Sequence, residues 1–277
     1  MKLKALALAL SVGAACVAGG ANAITITNTD GTLPFSGFDW AQGGTAFTTG
    51  FVPTAGNTFT LTYFAWATAL QAPSGGGFQN FVPPGMDTDA NGAPGGLFSG
   101  SAYEYTIAAV LQETVSSCSG TVCTFDVTGG NFTVWYDTTP DANANAGAGG
   151  TGFVDGTPII QGTVFPLAGQ TFNTVSGSNA TTLQGAVTFT NGAFITPPLS
   201  GTTATTTLQI GNAVTNWVNP GGFAGAPFTA NTTFTTNTVF QADGNQSFRA
   251  VPEPGSLALL GLGLAALPYI SRRRRDK

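Results

Sequence analysis

From Thr58 the chain alternates apolar and Thr-type positions, Thr58-Phe59-Thr60-Leu61-Thr62-Tyr63-Phe64-Ala65-Trp66, with a period of two and not 3.6. Alternation sends successive side chains to opposite faces of a strand, one face for a core and one for water. The pattern recurs over residues 103–107, 123–127, 131–136, 186–190, 205–210 and 232–235. Thr, Val and Phe suit such runs because branched or flat side chains pack well on a pleated surface. Gly-rich breaks at 74–77, 92–96 and 147–152 supply turns. No long helical period interrupts residues 24–250. The pattern therefore predicts an all-β body over 24–250, an antiparallel β-sandwich of jelly-roll type with long Gly-rich loops.

Two apolar runs at the ends depart from that pattern. Residues 5–17 follow Met1-Lys2-Leu3-Lys4 and precede the small residues Ala21 and Ala23. A positive start, an apolar stretch and a small-residue cleavage site predict a signal helix over 1–23, removed after Ala23. The second run, 255–270, follows Val251-Pro252-Glu253-Pro254 and precedes Arg272, Arg273, Arg274 and Arg275. Its prolines hold the chain extended just before a predicted hydrophobic helix. A run of 16 residues falls a little short of the roughly 20 that cross a bilayer. The arginines would stay on the cytoplasmic side and leave the body outside. An ordinary tail anchor is the alternative reading, and it too means export and membrane tethering.

The order of motif, hydrophobic helix and basic tail over 251–277 resembles the PEP-CTERM sorting signal of Gram-negative bacteria. That resemblance implies processing near Val251-Pro252-Glu253-Pro254 by an exosortase, a membrane transpeptidase-like enzyme. It also implies an inner-membrane-tethered intermediate, held by the C-terminal helix, that ends on the cell surface or in the extracellular matrix beside exopolysaccharide. Residues 30–40, Asp30-Gly31-Thr32-Leu33-Pro34-Phe35-Ser36-Gly37-Phe38-Asp39-Trp40, resemble the flocculation-associated PEP-CTERM proteins. That likeness implies a non-enzymatic role in holding cells and exopolysaccharide together as flocs.

Charge narrows the choices. The chain has 8 Lys and Arg, 13 Asp and Glu, and no His. Seven of the eight cations lie in the two end segments, so residues 24–250 hold eleven acids against Arg249 alone, a formal net charge of −10. Such a body has no basic surface to release counterions from phosphates, which excludes a nucleic-acid partner. The lack of His excludes Ser-His-Asp and Cys-His catalysis and His-ligated zinc. Gly and Pro make up a fifth of the chain, yet 42% apolar residues and 21 Phe supply a core.

Candidate chemistry is sparse. Cys118 and Cys123, five apart in an exported chain, predict a disulfide closing a hairpin. Asp87-Thr88-Asp89-Ala90-Asn91-Gly92 matches the first half of a calcium loop, with Asp87, Asp89 and Asn91 as alternate ligands and Gly92 at the turn. Its twelfth position is Phe98 and not Glu, so plain Asx turns are the competing reading. Asp141-Ala142-Asn143-Ala144-Asn145 repeats the alternation. Glu104 and Glu113, the only glutamates of the body, are nine apart, and odd spacing predicts opposite faces of one strand. No carboxylate pair for glycoside hydrolysis stands out. Trp40, Trp66, Trp135 and Trp217 are either sugar-stacking platforms or core. The sequence thus predicts a surface or matrix protein associating with exopolysaccharide and promoting aggregation, needing no cofactor. The alternative is a calcium- or glycan-binding extracellular module.

Overall fold

The structure is a computed structural model, and it describes residues 23–75, 77–94, 100–144, 151–173, 179–211, 226–227 and 237–249. The signal segment 1–22, the sorting segment 250–277, Phe98, Trp217 and the run 232–235 lie outside the described residues. Residues Ile24–Arg249 form one compact unit.

The described residues contain strands and no helix. The early strands are β1 (Thr25–Asn28), β2 (Gly31–Pro34), β3 (Gly37–Trp40), β4 (Gly44–Thr49), β5 (Thr58–Ser74) and β6 (Gly77–Phe81). A long hairpin follows, β7 (Glu104–Ser119) and β8 (Val122–Asp137). Then come β9 (Thr157–Val164), β10 (Leu167–Asn173), β11 (Asn179–Thr190), β12 (Ile195–Thr196), β13 (Thr203–Ile210), β14 (Ala226–Pro227) and β15 (Asn237–Arg249).

Pairing arranges most of them in a ring. β9 and β10 run one after the other along β8, with Val164 opposite Gly130 and Leu167 opposite Val127. β3 and β4 share one place in the same way, both lying between β15 and β5. The order is then β3/β4, β5, β7, β8, β9/β10, β11, β13, β15 and back to β3/β4, antiparallel throughout. Neighbours in space are neighbours in sequence, and the last strand pairs with the first. That is an up-and-down barrel.

The all-β, antiparallel expectation holds. The connectivity differs from a jelly roll: the two layers of the expected sandwich are opposite walls of one closed sheet. Alternation specifies which face of a strand is buried, not which strand lies beside it. A small sheet, β12-β1-β2, shares no ladder with the ring but packs on it, Ile26 and Ile195 joining the same core.

Apolar positions face inward. β5 alternates buried Phe59, Leu61, Tyr63 and Ala65 with more exposed Thr58, Thr60, Thr62 and Phe64. A bulge at Thr128 resets the parity of β8, so that Phe125 and Val127 before it and Phe132 and Val134 after it join the same core. Eight strands leave an interior that side chains can fill. Among the described residues the inward side chains leave cavities, two of them of about 30 Å³ each.

Outside the wall lies a second layer. Ala90, Ala142, Ala144 and Phe153 from the loops before β7 and after β8 pack on Phe64 and Trp66, the outward residues of β5. Gly92 N–H donates to Ala142 O and Ala144 N–H to Ala90 O, tying the two loops together.

Candidate metal site under the loop layer

Parity decides the surroundings of the two glutamates. Glu113 follows Leu111 and precedes Val115 on the inner face of β7, while Glu104 falls on the outer face, as their odd spacing predicts. The outer face at Glu104 is covered by the loop layer, and Glu104 is 1% exposed.

Glu104 stands opposite Asp137 across the β7–β8 ladder. Just beyond β8 the chain turns back, and the N–H groups of Asp141 and Ala142 donate to Glu104 Oε1 at 3.1 and 3.0 Å. Burial, partly offset by those two bonds and reinforced by the charges of Asp87 and Asp141, pushes Glu104 up to about 8. Asp141 is raised too, through burial and then through Asp155 and Asp137.

Carboxylate oxygens of Glu104, Asp137 and Asp141 lie within 4.8 Å of one another. Asp141 Oδ1 is buried and has no hydrogen-bond partner among the described residues. Gly152 (φ +78°) passes over that carboxylate, and a Cβ there would collide with Asp141 Oδ1. No Lys or Arg occurs between residues 24 and 248 to neutralise the group. Arg249 lies over the Phe78 ring, 5.7 Å from its centroid. Hard oxygen donors grouped in this way suit calcium, which takes six to eight of them.

The sequence-derived set is placed differently. Asp87 Oδ1 accepts from Asp89 N–H at 3.0 Å, and Asn91 Oδ1 accepts from Ala93 N–H at 3.0 Å, both Asx turns. Gly92 has the positive φ that its turn needs, +84°. Asp87 and Asp89 are not part of the three-carboxylate group, although Asp87 acts on Glu104 through its charge. The loops carrying the two Asp/Asn alternations do meet, Asn91 bridging Asn143. The grouping of Glu104 with Asp137 is not readable from the sequence, because only the hairpin register puts them together.

The predicted disulfide is present, with Cys118 opposite Cys123 at the tip of the β7–β8 hairpin around Gly120. Trp40 is buried inside the barrel, stacked on Phe38 at 4.8 Å. Trp66 donates from Nε1 to Thr88 O and packs against Phe153. Both serve packing, and Trp135 is half-buried.

Residues 250–275 match the family described as the PEP-CTERM protein-sorting motif. The chain carries that sorting motif. It marks an exported protein directed to an exosortase and processed at the membrane. No curated protein and no solved structure matches the chain.

Proposed function

We propose that this PEP-CTERM chain is a non-enzymatic protein of the cell surface or extracellular matrix that associates with exopolysaccharide and promotes cell aggregation. The sorting motif at 250–275 is the observation that carries this reading. The barrel supports it by what its wall offers. Across β11, β13 and β15 the outward, solvent-reaching side chains include Gln184 beside Thr205, and Thr182, Thr207 and Asn245 in a row. Hydroxyl and amide groups without charge suit a hydrated polymer that is itself rich in hydroxyls. A non-enzymatic reading agrees with the placement of Glu104 under the loop layer, its Oε1 taken by two backbone N–H groups. Deleting the gene tests the proposal. Cell aggregation should fall while polymer synthesis continues, and unchanged aggregation would remove it.

A second reading, calcium binding, is favoured by the buried Asp141 Oδ1, unpartnered among the described residues, beside Glu104 and Asp137. The ion would tie the two loops to the barrel wall and neutralise the group. Calorimetric titration of the purified chain with calcium should show one site that Asp141→Asn and Glu104→Gln each abolish. No heat and no rise in melting temperature would sink it.

A further inference from the structure

Glu113, the second glutamate of the body, has no part in either reading above. It points into the barrel from β7, 3% exposed, into one of the two 30 Å³ cavities. Phe59, Leu111, Phe125, Phe172 and Phe240 form much of the wall. Among the described residues no hydrogen bond reaches its carboxyl, and no second ionisable side chain lines the chamber. The strands packed against it, β4, β5, β8, β10, β11, β13 and β15, present only apolar, Thr or Asn side chains there. Asp126 on β8 points outward, bound to Ser116 Oγ and Gly169 N–H. A cavity of this size has room for about one water.

Beside this chamber one stretch of the wall has a ladder on one side only among the described residues. β9 has ladder partners on both sides, β8 and β11, whereas β10, which supplies Phe172, pairs with β8 alone. Between β10 and β11 the described residues show a side-chain bond from Thr181 Oγ1 to Gln170 Oε1 and no ladder.

We propose that Glu113 is an alkaline switch built into the barrel: loss of its proton lets β10 part from β11 and admits water to the chamber. The proton leaves the carboxyl for bulk base, and a carboxylate remains among phenylalanine rings, with no cation and no hydrogen bond reaching it among the described residues. An unpaired charge in such surroundings is far more costly than a neutral acid. Water entering between β10 and β11 relieves it without breaking a backbone ladder. Burial alone pushes Glu113 up to about 8, which sets where the change falls.

Amide hydrogen exchange on the purified full-length chain tests this. Rates corrected for intrinsic exchange are read at pH 6.5 and 9.5 over residues 167–173 and 179–184, with 203–210 as the internal reference. Exchange in β10 should rise about tenfold relative to β13 at the higher pH in the wild type, and stay level in Glu113→Gln. Equal behaviour of wild type and variant, or no rise in the wild type, overturns the proposal. Should Glu113→Gln misfold, Glu113→Met makes the same comparison. Carbon NMR of the Glu113 carboxyl must also titrate near 8, and titration near 4.5 overturns it independently.

Discussion

Glu104 and Glu113 hold their protons for the same first reason, burial, but only Glu104 has neighbours that could exchange a proton for a metal. Both are raised from 4.5 to about 8. The folded chain therefore binds these protons more tightly than the unfolded chain. Their contribution to stability is complete below about 4.5 and is lost as pH climbs to about 8. Denaturant unfolding should show stability falling across that window, by up to about 1.4 kcal/mol per pH unit for each group. Glu113→Gln should remove its share of the slope. Calcium should remove that of Glu104, by favouring its charged form. Stability rising from pH 5 to 8 without calcium would contradict both assignments.

Single strands were legible where alternation runs unbroken, as in β5, and illegible where the fold needs a glycine or a bulge. Asp243-Gly244-Asn245 has the composition of a turn, yet it lies in the middle of β15. Gly244 is there because a Cβ would sit 2.6 Å from Tyr63 Oη and 3.3 Å from Trp40 inside the barrel. Gly244→Ala should cost about 1–3 kcal/mol through overpacking, read as a lower melting temperature with β content retained. Residues 123–127 and 131–136 read as two strands and are one, because the Thr128 bulge looks like a break in the sequence. The Cys118–Cys123 bond at the tip of that hairpin closes a very short loop. Losing it in the Cys118→Ser, Cys123→Ser double variant should cost about 2 kcal/mol by loop entropy. A chain equally stable in denaturant would show that the tip is held by the β7–β8 ladder alone.

For the whole molecule, the sequence makes the ends plain and leaves the middle underdetermined. The sorting motif is contiguous and needs no fold to be read, so its boundaries were visible from Val251-Pro252-Glu253-Pro254 onward. The closure of the barrel depends on pairings between strands far apart in the chain, such as β15 with β3 and β4, and no local pattern encodes them. The candidate site lies between these cases. The Asp/Asn alternation that carries Asp141 was visible as a turn, while bringing Glu104 and Asp137 to it required the register of β7 on β8.

The result is an apolar-filled barrel with a Thr-, Gln- and Asn-rich wall and a body charge of −10, followed in sequence by a segment that directs the chain to an exosortase. The most direct test of this account is the settling of a deletion strain given back either the full chain or the chain ending at Ala250, with polymer yield measured alongside. The full chain should restore aggregation, and the truncated chain should fail to do so at equal polymer yield. Aggregation that never depended on the gene, or that the truncated chain restores in full, would contradict it.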